Sequence, residues 1–335
     1  RPLLALRLRP PRLAALLDLV HVPPLHHEMI GVVGVIRKGF TLILQTTAFI
    51  SLLPHGARHI AQAVVELIEE DKVPLPLLSE SASRTIAVTT NPDATFAEYD
   101  AAIRTDPSLT MRLLQAANSP VYGVARSISS IRQAMVILGV NKLRKVLQQV
   151  VFEANLFRGR ESPQLANERT HAVAVAHIAD EIASRCQGGS ADAFLCGMLH
   201  DYGRIMWPQL VPLLPPGHDP DELSISGELL HTQLGAYAVT KWSLPAKVSE
   251  AASRHHAFAK NEESEHSKIG QIIAAAELVA HVFGLGNEMQ GDPENWADHP
   301  IWEQLGVRSV ELPAVGMQAE QVRRVYGPVH PQTPA

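Results

Sequence analysis

Seven side chains in the second half of this chain have the chemistry to hold a divalent cation: His171, His200, Asp201, His231, His255, His256 and Glu277. Imidazole nitrogens and carboxylate oxygens are the donors that borderline and hard divalent ions select. The set runs from position 171 to position 277. No local clip of the zinc-finger kind gathers residues so far apart; a folded helical bundle is required. An ion held there would lower the pKa of a bound water, which is the chemistry of metal-assisted phosphoester hydrolysis.

Each residue also has a plainer reading. A His-Asp dipeptide such as His200-Asp201 arises often by chance, and helical neighbours point about 100° apart, so the pair chelates only an ion lying close to the helix. Gly197 and Gly203 flank it and admit the close approach of another segment. Arg204, one turn on, meets a phosphate or pairs with Asp201. His171 follows Glu168-Arg169-Thr170 at a helix start, where a cap or core role is the simpler one. His231 alone reads as solvent-facing, and His255-His256 ends a helix, where the dipole favours imidazolium. Glu277 is the most telling member. It interrupts the apolar run Ile273-Ala274-Ala275-Ala276 before Leu278, and an acid there needs a cation or a histidine as partner.

The elements that must position these residues are helices. Apolar spacing predicts them at 57–70, 75–90, 95–104 with Thr95 as N-cap, 108–118 opened by Asp106-Pro107, 127–138 ended by Gly139, and 141–157. Residues 158–166, polar with Gly159 and Pro163, read as a linker. Further helices are expected at 168–186, 191–207, 227–242, 245–258 and 266–283, with a Pro-rich loop at 208–220 and a last helix at 317–326. No strand is expected. The fold class is all-α, with two packed helical subdomains: an amino-terminal bundle over 55–157 and a metal-motif bundle over 158–285. A partly helical tail follows at 286–335.

Composition agrees. Of 335 residues, 46% are hydrophobic and 19% charged, a globular balance, and aromatics are only 5%, which favours helix over strand. A net charge of -5 offers no global positive field, so no nucleic-acid partner is expected. Two cysteines, Cys186 and Cys196, make a disulfide framework improbable and a reduced cytoplasm the expected compartment. Residues 1–54 are a poorly specified, basic, Pro-containing extension with no assigned function, and Met29 offers an alternative start. They lack the order of a signal peptide. Their apolar run at 39–53 falls short of the roughly 20 residues that span a bilayer, so no membrane association is expected.

The order His, His-Asp, His, His-His, acid resembles the HD phosphohydrolase superfamily, including its cyclic-dinucleotide phosphodiesterase branch. More closely, residues 56 to 285 resemble the HDOD domain, a bacterial signal-output relative. The amino-terminal half carries Val73-Pro74-Leu75-Pro76-Leu77-Leu78, Ile103-Arg104-Thr105-Asp106-Pro107-Ser108-Leu109-Thr110, Leu113-Leu114-Gln115-Ala116-Ala117-Asn118-Ser119, and Ser127-Ile128-Ser129-Ser130-Ile131-Arg132-Gln133-Ala134 running to Leu138-Gly139. The second half carries Gly197-Met198-Leu199-His200-Asp201-Tyr202-Gly203, Gly235-Ala236 to Trp242-Ser243-Leu244-Pro245, and His255-His256. The chain departs at Glu277, where metal-binding relatives carry Asp; the extra methylene moves the carboxylate by about 1.5 Å. It also has Ala257-Phe258-Ala259-Lys260 where the phosphodiesterases carry Gly-Tyr-Pro after the histidine pair.

The resemblance implies an HD-like second subdomain and a regulatory module in bacterial signal transduction, acting through protein partners. A retained structural metal site, for iron, manganese or zinc, is compatible with that role. The alternative it implies is an HD-type metal-dependent phosphohydrolase or cyclic-dinucleotide phosphodiesterase. His171, His200, Asp201 and Glu277 would then bind one cation, and His231, His255 and His256 a second cation or the phosphate. Arg204 would stabilise phosphoryl oxygens and Asp201 orient the attacking water.

Overall fold

A computed structural model of the chain describes residues 55–124, 127–156, 162–256, 268–286 and 295–327. Among these residues there is no strand, and the all-α expectation holds. No helix among them is long and apolar enough to cross a membrane. The extension at 1–54 lies outside the described residues.

Local sequence chemistry sets most of the helix ends. Helix α1 spans His55–Glu69 and α2 spans Glu80–Thr90, five residues later than its expected start. Pro74 and Pro76 remove amide donors and keep their predecessors extended, and Ser79 Oγ then caps α2 by accepting the Ala82 N–H at 3.2 Å. Helix α3 (Phe96–Arg104) opens on a reciprocal capping box between Thr95 and Glu98. Helix α4 (Pro107–Ala117) has Pro107 in its first turn, and Asp106 accepts the Ser108 and Leu109 N–H groups at 2.9 and 3.2 Å. The helix expected from 127 begins at Ile131 instead, because the Asn118 side-chain amide holds both backbone groups of Ile128 at 2.8 Å in an extended strap. That helix, α5 (Ile131–Leu156), is interrupted at Gly139, where φ is 69°.

The second half begins inside the expected linker. Ser162 caps α6 (Pro163–Ala183), so residues 163–166 are its first turn, and 157–161 lie outside the described residues. A single helix was expected over 191–207, but the structure divides it into α7 (Ala193–Leu199) and α8 (Tyr202–Leu210), with His200 and Asp201 at the junction. Helix α8 continues through Pro208 to Leu210, so the expected loop starts later. Helices α9 (Pro220–Lys241), α10 (Ala246–Arg254), α11 (Lys268–Val282), α12 (Ile301–Leu305) and α13 (Leu312–Tyr326) follow.

The chain groups into two compact units. Of the described residues, one unit comprises 55–75 together with Tyr202–Ala238, and the other comprises those within Pro76–Asp201 and from Val239 onward. This grouping interleaves the sequence, unlike the sequential division at 158. In the second unit α6 packs against α7, α11 and α13. Its middle is apolar all round: Val173, Ala174, Val175, Ala176, Ile178 and Ala179 are fully buried, as befits a helix enclosed by neighbours. Gly197 lets α7 lie directly on it, since a Cβ at that position would sit 2.7 Å from Ala176 Cα. That close seam fixes where His200, at the end of α7, stands relative to His171 on α6.

Candidate metal centre

Five buried polar residues meet in the second unit. His171 comes from α6, His200 and Asp201 from the α7–α8 junction, His255 from the residue after α10, and Glu277 from α11. Their exposures are between 0% and 6%, far below what isolated ionisable groups tolerate without partners. One ligand atom from each of His171, His200, Asp201 and Glu277 lies within 4.8 Å of the others. His171 Nε2 stands 3.8 Å from Asp201 Oδ2 and 3.9 Å from Glu277 Oε1. His200 Nε2 stands 3.6 and 3.5 Å from the same two oxygens. His255 Nε2 reaches Asp201 Oδ1 at 3.2 Å.

Backbone carbonyls decide which ring nitrogen faces inward. Nδ1 of His171 pairs with the Leu285 carbonyl at 3.1 Å, Nδ1 of His200 with that of Gly197 at 2.7 Å, and Nδ1 of His255 with that of Ala252 at 3.0 Å. A carbonyl oxygen only accepts, so each Nδ1 carries its proton and each Nε2 points to the centre. The Nε2 atoms of His171 and His200 are buried and make no hydrogen bond. This pattern, an orphaned inward nitrogen with the other nitrogen donating to a carbonyl, is how metal-ligating histidines are oriented.

Electrostatics couple the groups. Burial by itself lowers the His200 pKa, but the charge of Asp201 and the Glu277 carboxylate outweigh it and raise the value to about 9. Burial pushes Glu277 upward, yet the imidazoles of His255, His256, His171 and His200 hold its carboxyl well below the ordinary range. The donor set of two nitrogens and two carboxylates fits a divalent zinc, iron or manganese ion. Ligands about 2.1 Å from a tetrahedral ion lie roughly 3.4 Å apart, and the nitrogen–oxygen separations of 3.5 to 3.9 Å are close to that. The departure to glutamate at 277 therefore leaves its carboxylate at the centre.

The sequence also singled out His256, His231 and Arg204. His256 is half exposed and its Nδ1 lies 4.0 Å from Glu277 Oε2, at the rim of the cluster. His231 is in the first unit; it is buried rather than solvent-facing, with Nδ1 paired to the Glu228 carbonyl at 2.6 Å. Arg204, in the same unit, forms an ion pair with Glu228. Sequence reading overlooked His281, whose ring stacks on that of His171 at 5.2 Å and 11°. Its signal was its position four residues after Glu277, hence on the same helix face.

An all-helical domain with a buried histidine–carboxylate centre is the class that fold and site define together. The chain belongs to the HDOD domain family, whose family model matches residues 75–258. Among solved structures it is similar to an HDOD domain protein of unknown function from Geobacter sulfurreducens, at 23% identity and TM-score 0.63, covering 81% of this chain and 98% of that one. A candidate metal-dependent phosphohydrolase from Shewanella amazonensis SB2B gives 18% and 0.61, covering 82% and 100%. A candidate signal transduction protein from Marinobacter aquaeolei VT8 gives 19% and 0.59, covering 86% and 68%. At these identities the likeness is one of fold. An uncharacterized protein of Treponema pallidum (strain Nichols) is 26% identical over 206 residues; the match covers 56% of this chain and only 38% of that protein.

Proposed function

We propose that this chain is a regulatory module of bacterial signal transduction that acts through protein partners and keeps a structural divalent-metal centre at His171, His200, Asp201 and Glu277. The observation that carries this reading is the enclosure of the centre: all four residues are buried. A catalytic ion needs an open position and room for a substrate. A buried ion ties α6, the α7–α8 junction and α11 together and stabilises the fold by binding linkage. The free cysteines Cys186 and Cys196 suit a reducing cytoplasm.

A second reading, metal-dependent phosphoester hydrolysis, is favoured by the completeness of the donor set. The ion would supply Lewis acidity and an acidified water. The chain's own part would be to hold His171 and His200 with Nε2 inward and to keep Glu277 ionised among imidazoles. His256, at the exposed rim, would meet the substrate.

The test begins with metal content of untagged protein, measured by mass spectrometry, for wild type and the His200→Ala/Asp201→Ala variant. The regulatory reading expects near-stoichiometric metal, a higher melting temperature with it, loss of both in the variant, and no turnover of phosphoesters or cyclic dinucleotides. Metal-dependent turnover abolished by Asp201→Ala would establish the hydrolase instead. Metal-free wild type whose stability ignores added divalent ions would sink both.

A further inference from the structure

Among the three inward-facing histidines of the second unit, His171 alone takes its orienting hydrogen bond from a distant segment. His200 bonds a carbonyl three residues back and His255 bonds carbonyls of its own helix, whereas His171 depends on Leu285, 114 positions away in sequence. The turn that ends α11 meets His171 in three ways. The His281 ring lies nearly parallel to the His171 ring. The Leu285 carbonyl accepts the Nδ1 proton. Gly286, at φ 102°, comes so near that a Cβ there would sit 2.5 Å from His171 Cβ and 2.7 Å from the Asn167 carbonyl oxygen. Both its conformation and this approach require glycine.

The turn is itself seated by the carboxy-terminal segment. Phe283 packs edge-on against Trp296 at 6.2 Å, and Trp296 against Trp302 at 5.7 Å. The Trp302 indole N–H donates to the Trp296 carbonyl at 2.8 Å. From the other side, the hydroxyl of Thr170, next to His171, donates to the Tyr326 carbonyl at the end of α13 at 3.2 Å. Residues 281–286 and 295–327 all lie beyond the stretch matched by the family model.

We propose that the turn at 281–286 is a positioning clamp for His171, seated by residues 295–327, and that this tail thereby sets the cation affinity of the four-residue centre. The inference rests on reading that centre as a metal site. His281, Leu285 and Gly286 touch the histidine and are not among the four candidate ligands, so they are positioning residues; partners of this kind commonly change metal affinity 10- to 100-fold.

Two measurements on the full chain test it: titration with Mn²⁺ by calorimetry, and the His171 tautomer in the metal-free protein from ¹⁵N-histidine NMR. Gly286→Ala is expected to weaken Mn²⁺ binding by about 10- to 100-fold and to remove the proton from Nδ1 of His171. His281→Ala should weaken binding less, with recovery in His281→Phe, which keeps a flat ring. Phe283→Ala, which does not touch His171, should weaken binding in the same direction. Should Gly286→Ala fail to fold, the His281 pair and Phe283→Ala decide. Wild-type affinity and tautomer in all of these variants would overturn the clamp. If wild type binds no Mn²⁺, the metal reading fails and the affinity half of the proposal with it, while an altered tautomer in Gly286→Ala would still uphold the orienting half.

Discussion

Helix α6 carries two buried histidines six residues apart, about 9 Å along its axis, and they live in opposite surroundings. At the His171 end, carboxylates and further imidazoles converge, and His200 beside it is raised to about 9. At the His177 end, the ring packs edge-on against Tyr122 at 5.4 Å and Phe194 at 5.1 Å, and burial together with the positive Lys145 pushes its pKa down to about 3. Both His177 and His200 are buried, so burial is not what separates them. The difference is the acids: without them a buried imidazole stays neutral and serves as an aromatic filler, and with them it becomes part of a candidate cation-binding centre.

Removing the acid should collapse that contrast most completely. Glu277→Gln keeps the side-chain shape but loses the charge, and is expected to cut divalent-ion affinity by more than about 100-fold, measured by calorimetry. Glu277→Asp keeps the charge and shortens the arm, and should cost roughly tenfold. Unchanged affinity in the glutamine variant would mean that the two ends of α6 do not differ in the way described.

The pH dependence of stability separates the ends next. The unfolded chain protonates His177 near 6.5 and the native state only near 3, so stability from its neutral form is whole above 6.5 and drains as pH falls toward 3, at up to about 1.4 kcal/mol per pH unit. In metal-free protein His200 works in the opposite sense. Its contribution is whole below about 6.5 and is lost as pH rises through about 9. Chemical denaturation across pH should therefore show His177→Leu flattening the acid limb while leaving the alkaline limb intact. An unchanged acid limb would rule out a neutral buried His177.

A smaller effect tests the seam that serves both ends. Gly197→Ala places a methyl against Ala176 and forces α7 off α6; a loss of about 1–3 kcal/mol is expected from overpacking, read from melting curves. Metal affinity should fall with it, because His200 moves with α7.

Much of this organisation was legible in the chain. Capping residues Thr95 and Asp106 marked helix starts, since a cap is a bond made within one turn. Glu277 announced the centre because an acid in an apolar helix has to be compensated. Other features resisted reading. The break at His200-Asp201 carries no local breaker, and helix periodicity ran through it. The ion pair of Arg204 with Glu228 joins α8 to α9 across a loop, and nothing in the spacing of those residues specifies it.

By itself, then, the order of residues determined an all-α chain, its family, and the side-chain types from which a candidate metal centre is assembled, because periodicity, caps and motifs are short-range properties. Only the tertiary structure decided that Nε2 of His171 faces inward, since the carbonyl that holds Nδ1 belongs to Leu285 and is brought there by a turn requiring Gly286. It likewise decided that His177 packs as an aromatic filler and His171 as a candidate ligand. Two histidines on one helix are chemically identical until packing chooses their neighbours.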